Sequence, residues 1–147
     1  MSPETNIALV QEIENHYLGL RIGILDQSAI LLSRRNALTL IDCLDVSHKL
    51  IHRPDHMPPF DILIAFSGLQ QALVGTDYNR RVSECEQAAR ILLQAVGRSG
   101  DRPKLRRISR EEYLDHRKRL QGEPARRAAH FFSEMDRVGR GATLWQQ

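Results

Sequence analysis

The sequence predicts an α+β fold, with strands in the first half of the chain and helices filling the second. Three observations predict it. Apolar residues recur at helical spacing from Ile7 to Leu20. Three short β-prone runs then follow between Ala37 and Phe66, and capped amphipathic stretches occupy the rest.

The elements follow in order. Ser2-Pro3-Glu4 opens a helix, with a capping hydroxyl, a proline in the first turn and an early acid. Ile7, Val10, Ile13, Tyr17 and Leu20 form its expected inner face, and Gly19 and Gly23 loosen the chain after it. Ile24–Leu32 is largely apolar, with Asp26 its only charge, and reads as a second, buried helix. Arg34-Arg35-Asn36 is a turn. Ala37–Cys43 reads as a strand, paired as a hairpin with Val46–His52. Pro54, Pro58 and Pro59 mark a loop. Asp61–Phe66 (DILIAF) is a continuous apolar run of the kind that forms a central strand buried on both faces.

Thr76-Asp77 is placed to cap the next helix, whose stripe is Val82, Cys85, Ala89, Leu92, Leu93 and Val96. Gly97–Pro103 is a polar linker. Ser109 and Glu112 have capping-box spacing. Pro124 begins a last helix, with Ala128, Phe131, Met135 and Val138 expected inward.

Composition narrows the function classes. With 147 residues, 41% of them hydrophobic, and a net charge of +3, the chain has enough apolar surface for a core and is not of disordered type. No run of about 18 apolar residues exists, so no membrane partner is expected. Cys43 and Cys85 sit in unrelated apolar contexts, which fits free, unreactive thiols and a cytoplasmic location. The basic pI of about 9.2 would suit a polyanion. The arginines, however, are interleaved with acids, and the densest cluster, Arg102 to Arg110, has no aromatic platform, so no nucleic-acid partner is expected. The six histidines show no zinc-ligand spacing with Cys or Glu, and no protein-held metal is expected.

Two places remain where chemistry would concentrate. A carboxylate inside an apolar helix costs several kcal/mol unless it is paired. Asp26 therefore either caps a turn or pairs with an arginine as a structural residue, or faces a cleft, where it would accept a proton from a hydroxyl or hold a cation. The run Thr76-Asp77-Tyr78-Asn79-Arg80-Arg81 gathers a phenol, an amide and two guanidiniums at a helix start. It reads either as an anion- or sugar-facing site or as a well-capped helix with solvated arginines.

Five blocks carry a resemblance. Glu14-Asn15-His16-Tyr17-Leu18-Gly19 is similar to E-N-x-[FY]-x-G of galactokinases, and Gly23-Ile24-Leu25-Asp26-Gln27 to their G-I-M-D-Q. Leu38-Thr39-Leu40-Ile41-Asp42-Cys43 resembles L-L-I-D-C. Tyr78-Asn79-Arg80-Arg81 with Glu84-Cys85 and Ala88-Ala89 resembles Y-N-x-R-x-x-E-C-x-x-A-A. Arg126-Arg127-Ala128 with His130 and Glu134 resembles R-R-A-x-H-x-x-x-E. The order is that of the galactokinase family of GHMP kinases. The stretches Tyr17–Arg21, Ile24–Leu32 and Leu63–Leu69 resemble its galacturonokinase branch more closely.

The resemblance implies the GHMP-kinase fold. Residues 1–75 would end the N-terminal domain, with its ribosomal S5 domain 2-like half, and residues 76–147 would form the mostly helical start of the C-terminal domain. It implies transfer of the ATP γ-phosphoryl group, with Mg2+, to the anomeric hydroxyl of galacturonate or galactose. Asp26 matches the catalytic aspartate, Gly23 a backbone contact to the sugar, and Tyr78 a sugar-contacting tyrosine. For the carboxylate of galacturonate, Arg21, Arg80 or Arg81 would be the cations to hand. The family's G-E-H-x-D-Y segment, its Gly/Ser-rich ATP loop and its last Gly-rich motif have no match in these residues, and Asp26 lacks the family's arginine partner. The expectation is a central kinase fragment, inactive alone, that is either completed by a complementary fragment or left as a sugar-binding module.

Overall fold

In a computed structural model, which describes residues 1–70, 77–100 and 102–147, the chain is α+β and divides into two compact units. One comprises residues 1–76 with 142–147, the other residues 77–141.

The first unit opens on α1 (Pro3–His16). Ser2 caps it as expected: its Oγ accepts the Thr5 amide at 3.2 Å, and Pro3 occupies the first turn, where no amide donor is needed. Gly19, in the left-handed region at φ +65°, turns the chain toward α2 (Leu25–Leu32). Then come β1 (Ala37–Asp42) and β2 (Ser47–His52), antiparallel, in register from Ala37 opposite His52 to Asp42 opposite Ser47. Two aspartates shape their connection. Asp42 accepts the Leu44 amide and Asp45 the Ser47 amide, which holds the turn although Val46 lies at φ +64°. The core is small: Ile7, Ile24 and Leu32 are buried together, with Leu31, Ile41 and Val46 packed against them.

Three expectations for this unit are corrected. Asp61–Phe66 is not a strand: the segment is irregular, and Ile62, Leu63, Ile64 and Phe66 are exposed. A strand needs a ladder partner, and among the described residues β1 and β2 pair only with each other. Along α1, Ile7 is buried, but Val10, Ile13 and Tyr17 are exposed because the small core touches only one turn of the helix. Cys43 is exposed rather than set among apolar groups.

The second unit begins with α3 (Tyr78–Ala95), whose N-cap, Asp77, makes no side-chain bond to the helix amides. The expected cap at Thr76 lies outside the described residues, as does the expected boundary at 75/76. A 3-10 turn (Leu105–Arg107) leads to α4 (Arg110–His116), a second 3-10 turn (Arg117–Arg119) and α5 (Gly122–Leu144). The capping box at Ser109 and Glu112 is fully formed, with both reciprocal bonds present at 3.1 and 2.8 Å. Ala88, Ala89, Leu92 and Leu93 of α3 meet Leu105, Ile108, Tyr113, Leu120, Ala128 and Phe132 in one core. Tyr113 stacks on Phe132 with ring centroids 4.1 Å apart. The inner face of α5 is Ala128 and Phe132 with Phe131 partly covered, whereas Met135 and Val138 are exposed. The core of this unit reaches only the first turns of α5, so the apolar period continues past the residues that have anything to pack on.

Candidate functional site

Gly23 and Asp26 lie on one segment of the first unit, where the chain leaves the loop after α1 and enters α2. The buried face of α2 comprises Ile24, Gln27, Ser28 and Leu32. Asp26 falls on the opposite face with Leu25, 69% exposed, and Ile30, 81% exposed. Of the two readings of Asp26, the structural one, a buried carboxylate that caps a turn or pairs with an arginine, is overturned. The neighbours of Asp26 in sequence are apolar, but those on its own side are themselves in solvent. Among the described residues its carboxylate has no hydrogen bond or ion pair, so it neither caps a turn nor braces the scaffold.

Gly23 is similarly free of local duty. A Cβ built on it would meet no atom within 4 Å, and its φ lies outside the left-handed region. Nothing in its own surroundings requires glycine there, whereas the close approach of an outside molecule to the backbone would.

α1 holds this segment from behind. The Gln11 amide donates to the Ile22 carbonyl at 3.1 Å, and the Gln27 amide donates to the Glu14 carboxylate at 2.8 Å. The Leu20 amide also donates to the Glu14 carbonyl at 3.2 Å. Sequence reasoning gave Glu14 and Gln27 no role, although both stand in quoted blocks.

In the second unit, Tyr78 is half-buried at the start of α3, next to half-buried Asn79 and exposed Arg80 and Arg81. Arg80 reaches Asp77 at 2.6 Å and Glu84 at 3.6 Å. Glu84, its side chain 12% exposed, also takes Arg127 of α5 at 2.7 Å. This joins the fourth and fifth sequence blocks. Ala88, Ala89 and Ala128, all fully buried, come from the same two blocks and belong to the core both helices share. These blocks are thus largely scaffold. His130 and Glu134 face solvent 3.8 Å apart, and Arg137 hydrogen-bonds Glu134, holding its carboxyl below the usual carboxylate range. Burial pushes the Cys85 thiol up, so it is a poor nucleophile at neutral pH. A small cavity of about 130 Å3, lined by Arg90, Leu93, Arg98 and Pro103, holds none of the expected site residues. It falls short of the roughly 300 Å3 at which small-molecule sites begin.

The chain is 49% identical over 146 residues, 99% of its length, to galacturonokinase of Arabidopsis thaliana. It is a homologue of that protein. The match covers 34% of the galacturonokinase, so the chain spans about a third of the relative's length. This upholds the resemblance drawn from the five blocks, to the galactokinase family and its galacturonokinase branch. No family model matches the chain. Among the described residues no helix is long and apolar enough to cross a membrane, and no group of three or more His, Cys, Asp or Glu side chains is placed to hold a metal ion.

Proposed function

We propose that the chain is the sugar-side portion of a GHMP-fold sugar 1-kinase of galacturonokinase type. The acceptor is the anomeric hydroxyl of galacturonate or a galactose-like sugar. Asp26 orients that hydroxyl and takes up its proton, the Gly23 backbone lies against the sugar, and Tyr78 offers it a phenol and a ring face. The observation that carries the reading is Asp26 itself. In a chain 49% identical to a galacturonokinase, this carboxylate sits exposed and unpartnered on a firmly held helix start, beside a glycine that local packing does not require. A carboxylate kept free in this way is available to a substrate hydroxyl.

ATP with Mg2+ supplies the phosphoryl group in this reading, but the described residues do not fit it. They offer no cluster of metal-ligating side chains, and the sequence has no Gly/Ser-rich phosphate loop. The contribution of these residues is therefore binding and orienting the sugar hydroxyl, and the nucleotide belongs to the parts of the relative that this chain does not span. The same two observations favour a second reading, a sugar-binding module that transfers nothing unless a complementary kinase portion joins it. Cys43 and Cys85, which form no disulfide among the described residues, suit the reducing cytoplasm in either case.

The test is ATP-dependent phosphorylation of galacturonate and galactose, by the chain alone and by the chain joined to the remaining segments of a galacturonokinase. The joined protein is expected to be active, and Asp26→Asn to lower its kcat by roughly 100- to 10,000-fold with little change in stability. A well-folded joined protein that phosphorylates neither sugar, or one indifferent to Asp26→Asn, ends the kinase reading. Galacturonate binding without transfer by the chain alone would favour the second.

A further inference from the structure

We infer that α1 is a positioning clamp for Asp26: Gln11 and Glu14 grip the two ends of the Gly23–Asp26 segment and set where its carboxylate stands. This rests on the sugar-kinase reading and adds positioning residues to it.

The geometry brackets the site. On one side the Gln11 amide holds the Ile22 carbonyl, the last before Gly23. On the other, the Glu14 carboxylate holds the Gln27 amide, the first side chain after Asp26. Gln11 and Glu14 lie one turn apart on α1 and so present side chains on the same face. Between the grips lie Gly23, Ile24, Leu25 and Asp26, and Ile24 is pinned in the core with Ile7 and Leu32.

The clamp answers a local weakness. α1 and α4 begin on serines whose hydroxyls cap them, but α2 begins on Ile24, which has no capping side chain. Eight residues make a marginal helix by themselves, and the first turn is where such a helix frays. A frayed turn would let Asp26 wander. The Glu14–Gln27 bond is charge-assisted and partly buried, and Gln27 is only 8% exposed, so releasing it would strand a polar group with little water. Gln27 is also neutral. It anchors the turn without placing a cation beside Asp26, which would weaken that carboxylate as a proton acceptor.

Hydrogen exchange and sugar titration on the 147-residue chain test this together. The Ser28 amide closes the first turn of α2 on the Ile24 carbonyl at 3.0 Å and reports its opening, and Ile51 in β2, whose pair with Leu38 is in phase with the Arg53 amide bond to the Asn36 carbonyl, serves as the control. Glu14→Leu is expected to speed Ser28 exchange by about tenfold, the size of one charge-assisted hydrogen bond, while leaving Ile51 unchanged. It is also expected to weaken galacturonate binding. Glu14→Gln, whose amide oxygen still accepts from Gln27, should restore both. Gln27→Glu is the second variant, in case Glu14→Leu does not fold. Two carboxylates then face each other, so the turn opens at pH 7 and closes again in acid as one protonates, once exchange rates are corrected for pH. Unchanged Ser28 exchange in Glu14→Leu, no rescue by Glu14→Gln, or no pH dependence in Gln27→Glu overturns the clamp. So does sugar affinity that ignores Glu14→Leu. If instead the exchange pattern holds while the original chain binds no sugar, the clamp stands and the sugar-kinase reading fails.

Discussion

Among the described residues, the second unit of the chain buries ten side chains in one core drawn from α3, α4, α5 and the turns between them. Among the described residues, the first gathers Ile7, Ile24 and Leu32 in its core, buries Leu20 and Ile51 apart from it, and leaves Phe60, Ile62, Leu63, Ile64, Phe66 and Leu69 in solvent. Both were written with clear apolar patterns. The difference lies in what each pattern asks for. A helix satisfies its backbone within itself and needs only one face covered, so a run of neighbouring helices can close a core from contiguous sequence. A strand is a relation between two segments, and an apolar run without a second segment beside it has nothing to be a strand of.

The sharpest way to break this comparison is to cut each core. Phe132→Ala removes a fully packed ring stacked on Tyr113 and is expected to cost the second unit about 3–5 kcal/mol. Ile7→Ala, made in a small core where the removed methyl groups lose few packing partners, should fall at the low end of its class, about 2 kcal/mol. Urea unfolding separates the two, because the lone Trp145, edge-on to Phe60 at 5.8 Å, reports the first unit. Equal losses would mean that the two cores are equally tight.

A smaller effect is expected at the joint between α3 and α5. Arg127→Leu leaves Glu84 half-buried, with only the longer 3.6 Å contact to Arg80. The expected cost is about 1–2 kcal/mol, well below a fully buried pair because Arg127 is itself 24% exposed. Thermal melting of Arg127→Leu beside Arg126→Leu, which loses an exposed contact to Glu123, checks this. If the two cost the same, the joint is not special.

These examples separate what the sequence made legible from what it did not. Local signals were read correctly because their physics is local: the Ser2 cap, the Ser109–Glu112 box and the hairpin each involve residues close in the chain. The buried reading of Asp26 fails because neighbours in sequence stood in for neighbours in space, and Leu25 and Ile30 turn outward with it. Met135 and Val138 were misread because periodicity says which face is apolar, not how far along a helix its partner extends. The Glu14–Gln27 and Glu84–Arg127 pairs join positions 13 and 43 residues apart, a separation no spacing rule covers. The recurrence of both pairs inside the quoted blocks was the one available hint.

Acid should act on the second unit through its capping box. The Ser109 backbone amide, and after it Arg98, hold the Glu112 carboxyl below the usual carboxylate range. A depressed carboxyl contributes stability above its unfolded value, about 4.3, and that contribution is lost as pH falls through the lower folded value. Glu112→Gln should therefore flatten the acid limb of stability below about pH 4 without abolishing it, because Glu134 is depressed as well. Ser109→Ala should cost about 1 kcal/mol at neutral pH. An acid limb identical in Glu112→Gln would place the sensitive carboxylate elsewhere.

The smallest expected effect is the most discriminating. Ile64 is apolar and sits in the middle of the run that most resembles a core strand, yet it is 89% exposed. A residue that buries nothing loses nothing on truncation, so Ile64→Ser should change the stability of the first unit by no more than about 0.5 kcal/mol, read by Trp145 fluorescence in urea. It should also raise the concentration at which the chain stays monomeric in light scattering, since exposed apolar runs are where chains associate. The same substitution in the chain joined to the rest of a galacturonokinase should behave differently if that protein supplies the missing ladder. There Ile64 would be buried between strands, and its loss should cost about 2–5 kcal/mol. A near-zero cost in both settings would mean that the run is a surface segment wherever it stands. A large cost in the chain alone would mean that Ile64 packs into the core of the first unit.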